Sequence, residues 1–370
     1  MSQRTCRWGI LGAANIAMKN WASIHHATNA TLTAVASRST ERAQQFINDC
    51  QASVPHATAP RAIGSYDELL QAKDVDAIYI PLPTGIRKEW VIKAAQAGKH
   101  VLVEKPVGCN ADDVSEMIAA CRKANVQFMD GVMFMHSARL GQLRQTLDDG
   151  SSVGTIRRIT SSFSFCAPDE WVNSNIRASG ELEPLGCLGD LGWYTIRFSL
   201  FVMKYQMPKW VSGRMLSQAR RPDSHSDVPM EFSAELFFDG GVSASFYNSF
   251  ITENQQWATV AGSKGFLNVS DFVLPFFGSE ASFTVHNASF KATGCQFNMD
   301  EHTRRVAVRE YSNNAPNAQE THLFQKFSEL VLSGRPDQSW AEMALKTQQV
   351  MDACLLSARQ DGRRIEMTTG

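Results

Sequence analysis

Two textures of hydrophobic patterning divide the chain. Up to about residue 130, short apolar runs rich in β-branched residues alternate with longer stretches whose apolar positions recur at helical spacing. The runs at 7–11, 31–37, 75–82, 100–105 and 127–133 read as strands, and the stretches at 16–26, 40–50, 86–97 and 111–124 as helices. Strands that alternate with helices pair in parallel through right-handed crossovers, so residues 1–130 are expected to form a doubly wound sheet. Sheets of this kind bind ligands at the carboxyl ends of their strands.

Beyond residue 150 the period shortens to two. RRITSSFSF, FSAELFF, GVSASFYNSF, QWATVAG, ASFTVHN and RRVAVRE alternate apolar with polar, and Asp239-Gly240-Gly241 between two such runs signals a hairpin. Helical spacing returns at 188–203 and within 318–359. The expected fold class is therefore α/β: a doubly wound parallel sheet over 1–130, then an α+β domain over 131–370 built on a large, mostly antiparallel open sheet. The second face of such a sheet needs a cover, and another copy of the chain is one solution, so a homo-oligomer through the C-terminal sheet is expected.

Composition removes several alternatives. Apolar residues at 44% and charged residues at 20% are ordinary for a soluble globular protein. A formal net charge of -1 supplies no broad positive field for nucleic acid or anionic lipid. No window approaches the roughly 20 apolar residues of a membrane span, and MSQRTCRWGILGAANIA lacks the long apolar core of a signal peptide. The eight cysteines are scattered, with no C-x-x-C pair and no compact ligand spacing, so no metal site is expected. They read as structural thiols in a reduced, cytoplasmic setting.

The first candidate chemistry lies after the first strand, where Gly9-Ile-Leu-Gly12-Ala13-Ala14-Asn15-Ile16-Ala17 opens a helix. This is the context of a Rossmann dinucleotide fingerprint, with Gly12 at the tight turn and free helix amides facing the pyrophosphate. Ala14 stands where a glycine usually lets the backbone approach the phosphates, and its methyl narrows the fit. At the end of the second strand, where an acid usually meets the ribose hydroxyls of NAD, the chain reads Ser37-Arg38-Ser39-Thr40. A hydroxyl followed by a guanidinium suits a 2′-phosphate, which favours NADP, with NAD as the second option. The competing reading is that Ser39 or Thr40 caps the next helix and Arg38 is solvated.

The second candidate is HVLVEKPVGCN, where Glu104 and Lys105 end an apolar run and Pro106 holds Lys105 extended. GKHVLVEKPVGCN, YIPLPTGIRKEWVIKAAQAGKH and LGCLGDLGWYTIR together resemble the glucose-fructose oxidoreductase and inositol dehydrogenase family (Gfo/Idh/MocA), nearest to its dimeric dihydrodiol dehydrogenase branch and related plant oxidoreductases. The resemblance implies an NAD(P)-dependent oxidoreductase that interconverts a carbinol and a carbonyl on a sugar, polyol, inositol or trans-dihydrodiol. It places Lys105 beside cofactor and substrate oxygen, Tyr194 as the acid/base, and Asp190 as the group that orients the substrate or the lysine. Oxidising a carbinol needs a group that takes the hydroxyl proton, and a lysine in partial burial trades protons readily. Asp190 and Tyr194 lie four apart at helical spacing and can share a face.

The same resemblance puts Pro81, Leu82, Pro83 and Thr84 near the nicotinamide. Glu104 either contacts the cofactor or only organises its loop. Arg177, Trp171 and Trp193 are expected to line a polyol pocket, although tryptophans of an α+β domain are more often core. The chain departs from the family at Arg87, where relatives carry histidine; either it meets a polar substrate or it is a helix-face charge. A non-catalytic, dinucleotide-responsive regulatory protein is the rival reading, and the presence of both Lys105 and Tyr194 weighs against it.

Overall fold

The computed structural model describes residues 4–168, 170–312 and 314–367. The N-terminal domain runs β1 (Cys6–Leu11), α1 (Asn15–His26), β2 (Ala30–Ala36), α2 (Thr40–Ser53), β3 (Arg61–Ile63), α3 (Tyr66–Gln71), β4 (Ala77–Ile80), α4 (Thr84–Gln96), β5 (His100–Val103), α5 (Ala111–Lys123) and β6 (Phe128–Asp130). Its six strands lie in the order β3-β2-β1-β4-β5-β6, all parallel. That is the doubly wound arrangement the alternating pattern predicts. Both faces are covered by helices, so β4 (AIYI) and β5 (HVLV) are almost entirely buried. The short β3 and α3 were not expected from the sequence. Three residues, RAI, with one fully buried position give too little periodicity to register.

Local caps mark the helix starts. Ser39 accepts from Arg42 N, Ser65 from Glu68 N and Asn110 from Asp113 N, which satisfies amides the helices leave unpaired. The cap reading of Ser39 therefore holds, while Arg38 extends into solvent.

The second domain contains α6 (Arg139–Asp148), β7 (Ile156–Cys166), α7 (Trp171–Ser174), α8 (Gly186–Asp190), α9 (Gly192–Val202), β8 (Trp210–Ala219), β9 (Val228–Phe237), β10 (Ser243–Ser249), β11 (Ile251–Gly262), β12 (Phe266–Val269), β13 (Glu280–Thr293) and β14 (Gln296–Arg309). It ends with α10 (Gln319–Ser333), α11 (Ser339–Ala358) and β15 (Ile365–Glu366). Nine strands form one sheet in the order β14-β13-β12-β11-β7-β10-β9-β8-β15. All its neighbours are antiparallel except β7 and β10. The expected Asp239-Gly240-Gly241 turn joins β9 to β10.

One helix crosses the boundary drawn from sequence. α10 belongs to 131–370 in the chain but packs on the first sheet, where the Trp8 ring meets Phe324 and Phe327 at 5.0 Å each. Trp8 also donates to Ser328 at 3.0 Å. The helix thus locks the two domains together and adds residues to the cleft between them.

Candidate active site

A cleft of about 700 Å³ opens where the carboxyl ends of β4 and β5 face α8, α9 and β7, and it is large enough for a drug-sized ligand. At its head β1 turns through Gly12, whose φ of +124° suits glycine and whose N–H donates to Ala36 O at 3.0 Å. The α1 helix then begins at Asn15, after Ala14 at the cap position, with neither a side-chain cap nor an acidic residue in its first turn. Its electropositive end faces the strand ends, a fit for a dinucleotide pyrophosphate. Ala13 and Ala14 are half-buried in this turn, Asn15 and Ile16 are exposed on it, and Ile16 also lines the cleft. Ser37 is buried, whereas Arg38 is exposed beyond β2.

The β5 strand stops at Val103, one residue short of the charged pair, and the Lys105–Pro106 peptide is cis. Glu104 is nearly buried. Tyr79 Oη donates to its Oε1 at 2.6 Å, and Asn20 Nδ2 donates to Tyr79 Oη at 2.6 Å. Burial, then the Glu104 charge, pushes the Tyr79 phenol well up, so it stays protonated and donates. The organising reading of Glu104 is the one this network expresses, although the carboxylate also reaches the cleft.

Arg87 is no helix-face charge, although it borders the cleft. It is 3% exposed, and its guanidinium donates to the carbonyls of Leu82, Glu104 and Pro106. A rigid five-donor fork is what three carbonyls in two adjacent turns require, and a neutral histidine could not serve them. Thr84, by contrast, is turned away from the cleft. Its N–H and hydroxyl are both taken by Glu183, at 3.1 and 2.6 Å, which ties α4 to the second domain. Pro81, Leu82 and Pro83 do line the cleft.

From the second domain, α8 descends onto Pro106. A Cβ on Gly189 would lie 3.2 Å from Pro106 Cγ and 2.6 Å from Leu185 Cβ, so the close approach needs glycine there. It delivers Asp190 to the lysine. Lys105 Nζ donates to Asp190 Oδ1 at 2.6 Å and to its backbone carbonyl at 2.8 Å, and Arg177 Nε donates to Oδ2 at 2.7 Å. Burial disfavours this carboxylate, but Arg177 and Lys105 outweigh it and hold it down at about 2. Asp190 in turn raises Arg177. Tyr194, one turn on in α9, lies under the lysine, with Lys105 Nζ 4.7 Å from its ring centroid. Burial, then Glu104 and Asp190, pushes its phenol well up. The Arg177 guanidinium pulls it the other way, but desolvation and the two carboxylates win.

The two tryptophans are corrections. Trp193 is wholly buried and donates to Asp130 Oδ2 at 3.0 Å, beside an ion pair from Arg197 Nη2 to the same oxygen at 2.6 Å. It points away from Tyr194 because neighbours on a helix face different ways. Trp171 packs on Phe165 and Phe250 behind the cleft wall. Residues the sequence reading passed over supply that wall: Phe163, Phe165 and Phe276, together with the ion pair Lys19–Glu320 at 2.7 Å. Among the described residues no cluster of three His, Cys, Asp or Glu could hold a metal ion.

A doubly wound domain with an uncapped dinucleotide turn, facing a lysine, a carboxylate and a phenol, defines a nicotinamide-dependent oxidoreductase. Comparison with known proteins agrees: residues 6–132 match the oxidoreductase family GFO_IDH_MocA, NAD-binding Rossmann fold, and residues 141–268 match the GFO/IDH/MocA C-terminal domain. The chain belongs to this family and is an NAD(P)-dependent oxidoreductase that interconverts carbinol and carbonyl groups by hydride transfer.

It is 32% identical over 243 residues to the dTDP-3,4-didehydro-2,6-dideoxy-alpha-D-glucose 3-reductase of Streptomyces violaceoruber, covering 65% of this chain and 66% of that one. It is 31% identical to the D-xylose 1-dehydrogenase (NADP(+)) 2 of Haloferax volcanii, over 71% and 75% of the two chains. The trans-1,2-dihydrobenzene-1,2-diol dehydrogenase of Mus musculus matches at 31% over 73% and 76%. The dihydrodiol branch is thus not singled out, because sugar reductases match equally well.

A 3-ketoreductase from Actinomadura kijaniata, solved with NADP and TDP-benzene, superposes with a TM-score of 0.79 at 24% identity, over 96% of this chain and 98% of that one. The same enzyme has been solved with a tyrosine changed to phenylalanine and with a lysine changed to alanine or glutamate.

Proposed function

We propose that the chain is an NADP-preferring oxidoreductase of a small polyhydroxylated carbinol, a sugar, polyol, inositol or trans-dihydrodiol, in which Lys105 and Tyr194 handle the proton. The observation that carries this reading is the convergence of an ammonium from the first domain and a phenol from the second, 4.7 Å from nitrogen to ring centre, over one cleft. A bound nicotinamide supplies the hydride acceptor or donor. Tyr194, protonated by its surroundings, is set to give its proton to a carbonyl oxygen under reduction. In the oxidising direction it must first lose that proton, and the positive charge of Lys105 above its ring favours the loss. Asp190 fixes the ammonium on this side of the cleft and, with Arg177, leaves guanidinium nitrogens for a substrate hydroxyl.

The NADP preference is supported by exposed Arg38 after buried Ser37, with no acid at that strand end. A homo-oligomer through the second face of the nine-stranded sheet is supported by a shallow groove there, bordered by Trp210, Phe237, Tyr247 and Trp257. Eight free cysteines suit a reducing, cytoplasmic compartment.

The test is to incubate the protein with NADP⁺ and a panel of aldoses, inositols and dihydrodiols, following absorbance of the reduced nicotinamide. Any hit is repeated with Lys105→Ala and Tyr194→Phe. Activity that survives both changes undiminished overturns the assignment of the proton-handling groups.

A further inference from the structure

The cleft has two ends of different character. Lys105, Asp190 and Tyr194 make one end polar; the other is walled by Phe163, Phe165, Ile176, Leu274 and Phe276. The wall begins at the phenol itself, because the Phe163 ring meets Tyr194 edge-on at 5.6 Å. Three of its members stand in water: Ile176 is 40%, Leu274 42% and Phe276 61% exposed.

These side chains are not on a loose loop. Gln256 Oε1 accepts from Leu274 N at 2.6 Å and its Nε2 donates to Leu274 O at 2.7 Å. Asp271 Oδ2 accepts from Phe276 N at 2.9 Å, and Gln319 Nε2 donates to Val273 O at 2.8 Å. Asp271 is itself paired with buried Arg139. Four backbone groups over Val273–Phe276 are thus held by three side chains, Asp271 from the same turn and Gln256 and Gln319 from two other parts of the fold. The result is an apolar surface kept rigid and wet, which an apolar ligand group can cover without further ordering cost. A bare polyol engages the polar end and leaves this wall hydrated.

Building on the carbinol–carbonyl reading of this cleft, we infer that the substrate carries a flat apolar substituent beside its hydroxyl-bearing ring, as an aryl glycoside does. The reacting ring sits against Tyr194 and Lys105, Asn254 lies near its remaining hydroxyls, and the substituent lies between Phe163 and Phe276. Among similar ligands, aromatic faces and planar groups stack best on such a wall.

Matched probes test this: phenyl and methyl β-D-glucopyranoside, and the corresponding xylopyranosides, each with NADP⁺. Two readings are taken, kcat/KM by nicotinamide absorbance and dissociation constants by calorimetry on the NADP⁺ complex. The phenyl member is expected to be favoured at least tenfold, about 1.4 kcal/mol, and Phe276→Ala is expected to bring the phenyl-to-methyl ratio toward one. Equal treatment of phenyl and methyl probes in both readings overturns the inference, even if free sugars are turned over. Selective phenyl binding that Phe276→Ala abolishes, without turnover of any carbinol, upholds the wall and overturns the catalytic reading instead.

Discussion

Replacing Asp190 by asparagine keeps the shape of the side chain and removes the charge that two cations share. The carboxyl lies at about 2 instead of 3.8, which at roughly 1.36 kcal/mol per unit favours the ionised form by about 2–3 kcal/mol. The folded value is below the unfolded one, so this stabilisation is fully present above about pH 4 and is lost as pH falls through about 2. Asp190→Asn is expected to lower stability to urea at pH 7 by about 2 kcal/mol, and the gap to the wild type should close between pH 4 and 2. Catalysis should suffer separately. Lys105 loses its 2.6 Å partner and its aim, which is expected to cost on the order of 10²-fold in kcat/KM. Asp190 also helps to raise the Tyr194 phenol, so in the reducing direction, where the protonated phenol is the active form, the alkaline limb of the pH–rate profile should move to lower pH. Unfolding curves at several pH values and a pH–rate profile check both parts. An asparagine variant with wild-type stability, activity and pH limb would refute the argument.

Three other outcomes are expected. Arg38→Ala should weaken NADPH binding at least tenfold and leave NADH nearly unchanged in parallel titrations, and equal losses would remove Arg38 as the 2′-phosphate contact. Asp130→Asn leaves Arg197 and Trp193 buried without their carboxylate, so chemical denaturation should show a loss of about 3–5 kcal/mol, and a loss under about 1 would contradict the buried-pair account. Burial pushes the Asp352 carboxyl up to about 6 where it caps Ala111 N at 2.6 Å. Because the folded value lies above the unfolded one, the wild type should gain stability relative to Asp352→Asn as pH falls from 7 to 5; parallel stability–pH curves would contradict this.

Patterns with enough repeats were legible. The alternation of apolar runs with helical stretches fixed the parallel sheet and its binding edge, and Asp239-Gly240-Gly241 marked the β9–β10 hairpin of the nine-stranded sheet. Lys105, Asp190 and Tyr194 stood out because their residue types and flanking motifs carry chemistry, and the structure brings all three together. Other features are made only by tertiary contact. Arg87 reads as a helix-face charge until two turns present three carbonyls to it, and Trp193 reads as a pocket wall until Asp130 arrives from the other domain. The Glu183 tie to Thr84 and the return of α10 onto the first sheet join residues about a hundred or more positions apart, which no local period reports. The exposed Leu274 and Phe276 were the one missed signal within reach, since an apolar cluster in a turn between strands has little reason to be there without a ligand.

The central claim is that Lys105 and Tyr194 act as one unit on one substrate oxygen, and a double-mutant cycle measures this most directly. With whichever carbinol the panel identifies, kcat/KM is compared for wild type, Lys105→Ala, Tyr194→Phe and the double variant. Each single change is expected to cost about 10²–10⁴-fold, with the double variant little worse than the poorer single. Losses that simply multiply, or that are absent from either single variant, would contradict the account.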